Sequence, residues 1–402
     1  MATDRLHDRL DRFKNLIVNT PASEASSRYT RLADGTKGEL VRDVSGTYCL
    51  IRTLYPFGHF FGREELGETD GSRSFPRAAF SAGHEHGEVP GSSMLFLDTE
   101  TTGLGGAGVV PFLVGCGTLT SEGFEVRQYL LPDYPDEAAM LERIMQEITD
   151  RPVIVSYNGT AFDMSLLRDR MIVNRVAREI ETEGHFDLLH SARRLFKRRL
   201  GDCSLTNVER ELFDFHRYDD IPGYLIPSVY FAWVSEENLD LMPSVLEHNR
   251  LDILALYFLV EKIARAFETE GETLHETEDV YSLSRVFSRR KDNDRVLDLC
   301  RKIEDNTEGE LSDEILLFHS YALKRAGQWE QACVIWEKLS DRDSREGYQA
   351  NVELAKFFEH RGKDAQTALR YATRARKSCP DLETHRRLLE KRLKRLQIRL
   401  DS

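Results

Sequence analysis

The chain has 402 residues, a length that predicts two or three domains at the usual size of ~150 residues per domain. A composition of 41% hydrophobic and 31% charged residues is that of a globular protein and excludes collagen-like or largely disordered chains. The net charge of -13 repels nucleic acid at long range, so a phosphate-binding groove would need a local basic patch or a metal site.

The sequence also predicts where the protein works. No apolar run approaches the ~20 residues of a membrane-spanning helix. The first residues, MATDRLHDRL, are charged and do not resemble a signal peptide. Six cysteines are scattered without a Cys-x-x-Cys pair, which favours single buried thiols over a zinc site or disulfides. We therefore expect a cytoplasmic protein.

Three features are predicted in an N-terminal segment, residues 1–92. Apolar residues at helical spacing predict an amphipathic helix over 3–17. Aromatic and β-branched residues within 39–66 predict a small β-element. Residues 67–92 are rich in Gly, Ser and Glu, which predicts a linker or flexible loop.

The pattern of residues 93–268 is that of a mixed α/β domain. MLFLD (94–98) is an apolar run that ends in an acid, which is typical of a buried central strand. A hairpin, a helix, another strand and further helices follow it. Strands are predicted over 94–98, 109–119, 124–131 and 152–157, and helices over 135–149, 162–176, 186–199 and 237–268.

Residues 275–402 carry only helical signals. Two helix pairs, over 315–339 and 351–380, are each broken at a glycine. Positions 36 residues apart occupy equivalent places in the second helices: Val296, Ala332 and Ala368. A period near ~34 residues is typical of tetratricopeptide repeats. The chain ends in a basic amphipathic helix that would cap the array, with a basic face that is either solvated or a contact for nucleic acid or a protein.

Four acids lie where chemistry is expected. Asp98 and Glu100 end the central strand and, two residues apart, point to the same side. Asp163 follows a strand and opens a helix, and Asp252 lies one helical turn after His248. Carboxylate oxygens from several elements favour Mg²⁺ or Mn²⁺, and without a metal they would repel one another. Taken singly, Asp163 could be only a helix N-cap and Asp252 a solvated residue.

At this point the chain resembles a known family. Three segments resemble the motifs of the DEDD 3′–5′ exonuclease superfamily: FLDTETTGL (96–104), YNGTAFD (157–163) and HNRLD (248–252). More closely, residues 94–260 resemble the YprB-type RNase H-like domain, whose members often carry C-terminal tetratricopeptide repeats. The segments of this closer resemblance are GLGGAGVVPFLVGCG (103–117), SYNGTAFDMSLLRDR (156–170), CSLTNVERELF (203–213), DIPGYLIPSVYF (220–231) and EHNRLDILAL (247–256).

The resemblance implies a fold and a metal site. The fold is α/β RNase H-like, a mixed five-stranded sheet with flanking helices, followed by an all-α tetratricopeptide-like domain. The ligands of two Mg²⁺ or Mn²⁺ ions would be Asp98, Glu100, Asp163 and Asp252. His248 falls where the superfamily has its general base, which takes a proton from the attacking water.

His248 departs from the family pattern in its spacing. The His-type branch usually has four residues between base and last Asp, the Tyr-type branch has three, and this chain has His with three. In a helix, this spacing still puts His248 and Asp252 on one face. His248 is therefore either the base or a structural residue.

Further positions are implied to touch substrate. Thr101, Thr102 and Leu104 would contact the terminal nucleotide, although a simple strand-to-hairpin turn explains them equally well. Asn158 could bind phosphate or orient Asp163, and a turn-forming role is equally open. Basic residues on two predicted helices, around 168–178 and 193–199, could follow a phosphate backbone or be solvated.

Two function classes remain. The first is a metal-dependent nuclease, a 3′–5′ exonuclease on single-stranded DNA or RNA. The second is a nucleic-acid-binding or adaptor protein with a weakly active or inactive domain and partner-recruiting repeats. The four acids favour the enzyme, whereas the His spacing and the large helical array favour the adaptor. A nucleotide-cofactor enzyme has little support, because the Gly-rich run at 103–108 enters a strand and not a helix.

Overall fold

The structure is a computed structural model that describes residues 22–68, 72–81, 83, 85–103, 108–307, 309–377 and 383–401. The helix predicted over 3–17 and the candidate substrate residue Leu104 lie outside these residues. The chain divides into two compact units, Met1–Glu268 and Thr269–Ser402, which are described in turn.

The first unit is built from strands and helices in mixed order. Its strands are β1 Glu39–Asp43, β2 Gly46–Pro56, β3 Phe60–Phe61, β4 Glu64–Glu65, β5 Ser74–Pro76, β6 Glu88–Pro90, β7 Met94–Thr101, β8 Pro111–Leu119, β9 Gly123–Leu130, β10 Val153–Ser156 and β11 Gly184–Asp187. Its helices are α1 Ala22–Thr36, α2 Arg77–Phe80, α3 Glu137–Asp150, α4 Asp163–Val173, α5 Leu188–Leu200, α6 Leu205–Phe213, α7 Ile226–Glu236 and α8 Met242–Glu268.

The main sheet has seven strands in the order β1-β2-β9-β8-β7-β10-β11. Strands β7, β10 and β11 are parallel, and the other pairs are antiparallel. The mixed RNase H-like sheet is confirmed, but the predicted number of five strands was wrong, because the sheet has seven. The N-terminal β-element adds β1 and β2 to the edge of β9, a pairing between distant parts of the chain that local patterns do not report. The fifth core strand, β11, lies where a helix was expected to begin.

The expectation of a linker over 67–92 was also wrong. Strands β5 and β6 pair there as a separate two-stranded sheet, and α2 lies between them in the chain. Phe75 and Val89, which face each other across that pair, are fully buried. Arg73 attaches the segment to α8, because its Nε lies 3.1 Å from the Glu261 carboxylate. Two buried apolar side chains hold this segment in place despite its polar composition.

Helices cover both faces of the sheet and set the position of the site. Helix α3 carries the buried Glu147, which accepts a hydrogen bond from the Tyr129 hydroxyl at 2.6 Å on one face. Helix α8 packs on the other face, against β7, β8 and β9. It can approach closely because β8 has Gly115 and Gly117 beneath it. A Cβ atom on Gly117 would lie 2.5 Å from Ile253 of α8.

The second unit consists of helices in the part of it that the structure describes. They are α9 Thr277–Arg289, α10 Asn293–Asn306, α11 Asp313–Arg325, α12 Trp329–Ser340, α13 Arg345–His360, α14 Ala365–Lys377 and α15 Glu383–Asp401. Each helix packs against the next along the chain. The equivalent positions Val296, Ala332 and Ala368 are all fully buried, each in the second helix of a pair. The all-helical C-terminal region is confirmed, and its tetratricopeptide character remains a prediction.

The last helix uses part of its basic face within this unit. The carboxylate of Glu359 is buried, and the Arg395 guanidinium donates to it at 2.6 Å and 3.0 Å. Arg392 donates to the same carboxylate. These arginines of α15 therefore neutralise a buried charge instead of only facing solvent.

The cysteines and the hydropathy of the helices bear on two of the expectations from composition. The cysteines among the described residues, Cys49, Cys116, Cys203, Cys300 and Cys333, are unpaired and buried. Within the same residues, no helix combines the length and the hydropathy that crossing a membrane requires.

Candidate active site

The candidate site lies where β7 ends beneath α8. Asp98 and Glu100 alternate with Thr99 along β7, so both carboxylates point to the face that α8 covers. The strand pairing shifts register between Glu100 and Thr101, a bulge of the kind that is common beside active sites. The bulge ends the regular pairing just after the second acid.

An amide network that the sequence did not predict holds Asp98. The Asn249 side chain of α8 donates from Nδ2 to Asp98 Oδ2 at 2.8 Å. Its own Oδ1 accepts from Gln128 Nε2 at 2.9 Å, and the same Gln128 nitrogen donates to the Leu246 carbonyl at 2.8 Å. Asn249 and Gln128 are almost completely buried, so water does not compete with this network, which fixes the rotamer of the half-buried Asp98.

The strand register explains how these groups meet. Asp98 of β7 lies opposite Gly115 of β8, which lies opposite Gln128 of β9. The Asn249 side chain sits over the glycine, since a Cβ on Gly115 would be only 2.4 Å from Asn249 Oδ1. Gly115 therefore provides the space through which a helix amide reaches both neighbours.

Glu100, His248 and Asp252 form the tightest group of potential metal ligands. One ligand atom of each lies within 4.8 Å of the others. His248 and Asp252 share one face of α8, and His248 Nε2 lies 3.6 Å from Asp252 Oδ2. The geometry that we expected from their spacing in a helix is present.

Asp163 of helix α4 contacts β7 through Thr99. It is the first residue of α4 and not its N-cap, which is Phe162. Its Oδ1 accepts a hydrogen bond from the Thr99 hydroxyl at 2.5 Å, and the residue is only 9% exposed. A helix-capping role therefore does not account for Asp163.

The electrostatics link these acids. Burial raises the pKa of Asp98 well above its ordinary value, and the charges of Asp252 and Asp163 raise it further. Burial and the charges of Asp98, Asp252 and Asp163 likewise raise the pKa of Glu100. Burial also raises the pKa of Asp163, against the hydrogen bond from Thr99. The carboxylates are thus close enough to repel one another in a poorly hydrated place.

A buried arginine that the sequence did not predict opposes this negative charge. Arg217 donates to both oxygens of Glu209, at 2.8 Å and 2.5 Å, and also to Asp252 Oδ1. Its side chain is 5% exposed and that of Glu209 is 1% exposed. Burial raises the pKa of Glu209 to about 7, although Arg217 opposes the rise. Glu209 lies within the family segment CSLTNVERELF (203–213), and this was the signal in the sequence that could have pointed to the pair.

Asp220 completes the group around His248. Its Oδ1 lies 2.8 Å from His248 Nδ1, and its Oδ2 lies 3.3 Å from Arg217 Nη1. Asp220 is the first residue of DIPGYLIPSVYF, another of the family segments. A carboxylate next to the ring was not predicted, because 28 residues separate it from His248 in the sequence.

The predicted substrate residues make local contacts. The Thr101 hydroxyl donates to the Gly103 carbonyl at 2.8 Å, and the Thr102 hydroxyl accepts from the Val110 amide at 3.0 Å. Asn158 has a positive φ of 64°, and its backbone N–H donates to Asp187 Oδ1 at 2.8 Å. These contacts order both turns and leave the role of each side chain toward a nucleotide as a prediction.

The basic residues divide into paired and exposed ones. Arg170 donates to the buried Glu137 at 2.6 Å, and Arg194 donates to the Ala79 carbonyl at 3.0 Å. Both are therefore structural. Arg193 and Lys197 are exposed on the same face of α5 and remain candidates for contact with phosphate.

The donor set fits a divalent cation. Glu100 of β7 and Asp252 of α8 offer carboxylate oxygens within 4.8 Å of each other, and Asp98 and Asp163 lie near enough for their charges to act on this group without belonging to it. Hard oxygen ligands are those that Mg²⁺ and Mn²⁺ prefer. Burial and the charges of neighbouring acids raise the pKa of Asp98 and of Glu100, and a cation would offset that charge. Because Arg217 occupies Asp252 Oδ1, the free oxygen of this residue is Oδ2.

Known proteins are similar to this chain in its sequence and, more weakly, in its structure. The sequence model of the RNase H superfamily matches residues 95–264, a range that contains all four acids and His248. The uncharacterized protein YprB of Bacillus subtilis (strain 168) is 34% identical over 365 residues, which are 88% of this chain and 85% of YprB. Among solved structures, the family B DNA polymerase of the hyperthermophilic archaeon Pyrobaculum calidifontis matches with a TM-score of 0.35 and 16% identity, over 49% of this chain and 29% of the polymerase.

Gly115→Ala should destabilise the protein. The new methyl group would meet the Asn249 side chain at 2.4 Å. Overpacking of this kind costs about 1–3 kcal/mol in the free energy of unfolding, measured by urea denaturation. Gly223→Ala is the control, because no atom lies within 4 Å of a Cβ built there. Equal stability of the two variants would contradict the close contact between α8 and β8.

Arg217→Ala should be more costly. It leaves the Glu209 carboxylate buried without its partner, which typically lowers the free energy of unfolding by about 3–5 kcal/mol. Arg210→Ala, on the same helix as Glu209, removes an exposed arginine and should cost at most about 1 kcal/mol. A small loss for Arg217→Ala in urea denaturation would show that Glu209 finds solvent or another partner.

Proposed function

The chain belongs to the same family as YprB and carries an RNase H superfamily domain over residues 95–264, and on this premise we propose that it is a metal-dependent nuclease. The reaction is hydrolysis of phosphodiester bonds of single-stranded DNA or RNA from the 3′ end. Two Mg²⁺ or Mn²⁺ ions would be the cofactors. Asp98, Glu100, Asp163 and Asp252 would hold them, and His248 would be the general base.

One observation carries the proposal. Asp98, Glu100 and Asp163 come from separate positions on two elements, and burial together with nearby carboxylates raises their pKa values. A cluster of buried acids lowers stability unless a cation compensates it. Its position, at the end of a central strand beneath a helix with a histidine, supports catalysis as its purpose.

The chemistry divides between ions and side chains. Bound divalent ions stabilise the attacking and leaving oxygens of a phosphodiester displacement. The carboxylates would hold those ions, and the Asn249 amide fixes the orientation of the Asp98 carboxylate. His248 presents Nε2 on the side of Asp252, from which it can accept a proton from the attacking water. Thr101, Thr102, Leu104 and Asn158 would contact the terminal nucleotide.

Exposed aromatic rings support a single-stranded substrate. Phe162, next to Asp163, is 60% exposed, and Tyr218, next to Arg217, is 88% exposed. Aromatic side chains stack on unpaired bases with little regard to sequence. Bases inside a duplex do not offer their faces for such stacking, so these rings favour single strands.

A second candidate is a nucleic-acid-binding or adaptor protein with a weakly active or inactive domain. The observation that favours it is the ion pair of Arg217 with Asp252, which withdraws one oxygen from a cation. The helices of the second unit would then recruit a protein partner. Metal-dependent release of mononucleotides from an end-labelled oligonucleotide separates the two candidates, and oligonucleotides with free or blocked 3′ ends test the direction.

Asp98→Ala should abolish cleavage of a labelled oligonucleotide in Mn²⁺ without unfolding the protein. Since burial and like charges make the ionised side chain unfavourable, the metal-free variant should melt at the same or a higher temperature. Mn²⁺ should raise the melting temperature of the unsubstituted protein more than that of the variant, because a ligand that binds the folded state stabilises it.

Asp169→Ala, which removes an exposed carboxylate of α4, is the matched control and should cleave normally. Normal cleavage by Asp98→Ala would remove this residue from the site. No cleavage by the unsubstituted protein on any single-stranded DNA or RNA, with either metal, would favour the adaptor.

His248→Ala should lower turnover on the order of 10²–10⁴-fold, the usual contribution of a general base. The stabilisation by Mn²⁺ should remain, because the carboxylates stay in place. His216→Ala serves as control, since that side chain is half exposed. Near-normal turnover together with a lowered melting temperature would make His248 a structural residue and leave the metal site untouched.

A further inference from the structure

We propose that Asp220 is a positioning residue that fixes the tautomer of His248, with the proton on Nδ1 and the lone pair of Nε2 facing the acids. The inference rests on the proposed function for its catalytic consequence. Its structural part, the state of the imidazole ring, can be measured without any cleavage.

The contacts of Nδ1 decide the tautomer. Asp220 Oδ1 lies 2.8 Å from Nδ1, a normal hydrogen-bond length, whereas Arg217 Nη1 lies 3.5 Å away. An ionised carboxylate can only accept hydrogen bonds, and a guanidinium can only donate them. The shorter contact therefore requires a proton on Nδ1, and Arg217 is too distant to compete.

Asp220 itself is held in place. Its second oxygen lies 3.3 Å from Arg217 Nη1, so the two groups orient each other. The next residue, Ile221, is buried and anchors the segment. The side chains of Asp220 and His248 are only 22% and 17% exposed, which limits competition by water.

The other ring nitrogen then faces the candidate site. In a neutral imidazole with the proton on Nδ1, Nε2 has a free lone pair. Nε2 lies 3.6 Å from Asp252 Oδ2, which is beyond hydrogen-bond distance, so Asp252 does not hold a proton on Nε2 as Asp220 does on Nδ1. Nε2 belongs to the group that also contains Glu100. A base in this state can accept a proton there, whereas the opposite tautomer would present a donor. Fixing the tautomer through the second nitrogen is a known way to prepare a histidine.

The first experiment reads the tautomer of His248 by ¹⁵N NMR of the full chain labelled at histidine, in mildly alkaline buffer without metal. The chain has 12 histidines, so His248→Ala identifies the signal. We expect the proton on Nδ1. In Asp220→Ala, Arg217 is the remaining neighbour of Nδ1 and can only donate, so the proton should move to Nε2. A proton on Nε2 in the unsubstituted protein, or no change in Asp220→Ala, would overturn the inference.

Asp219→Asn is the matched control. It removes the same charge one residue away, from an exposed side chain, and asparagine tolerates the positive φ of 56° at this position. Its His248 signal should match that of the unsubstituted protein. A tautomer change in this control as large as in Asp220→Ala would assign the effect to net charge and overturn the role of Asp220.

The second experiment is a double-mutant cycle in turnover. Asp220→Ala should lower turnover by no more than the roughly 10²–10⁴-fold expected for loss of the base. In the His248→Ala background it should have no further effect, because it acts through the ring. Asp220→Asn, which keeps the side-chain volume, repeats the cycle in case alanine lowers the melting temperature. Equal losses in both backgrounds would overturn the inference, whereas no cleavage by the unsubstituted protein would refute the proposed function and leave the NMR result standing.

Discussion

The close approach of helix α8 to the sheet is the constraint on which the candidate site depends. Two glycines of β8 leave room for it, and Asn249 and Ile253 fill that room. Because α8 lies this near, its side chains reach the end of β7 directly. A larger residue at Gly115 would separate the helix that carries His248 and Asp252 from the strand that carries Asp98 and Glu100.

The close packing of α8 on the sheet also brings several carboxylates near one another, and their hydrogen-bond partners compensate this negative charge only in part. Asp98 has an amide partner, Asp163 a hydroxyl partner, and Asp252 a guanidinium partner. None of these neutral or shared contacts cancels the burial and the repulsion that raise the pKa values of Asp98 and Glu100. Groups arranged in this way reduce the stability of the metal-free fold, and their presence is understandable if a cation binds there.

Around the acids lies a layer of buried polar groups that orient them. Gln128 holds Asn249, Glu209 holds Arg217, and Arg217 contacts Asp220. Gln128 and Glu209 act on the acids through another side chain, whereas Asn249 and Arg217 contact an acid directly. The side chains of these four residues are largely removed from water. The precision of the site therefore depends on residues of β9, α6 and the segment before α7 as much as on the acids themselves.

The sequence by itself determined the residues and elements that are local. The apolar run that ends at Asp98 and the helical spacing of His248 and Asp252 follow from short-range patterns. The equivalent places of Val296, Ala332 and Ala368 follow from a repeat of 36 residues in the sequence. Only the tertiary structure decided the pairing of β2 with β9, the small sheet within 67–92, and the contacts of Asn249, Arg217 and Asp220 with the acids. Those contacts join residues that are distant in the chain, and local patterns carry no information about which distant strand or side chain completes a hydrogen bond.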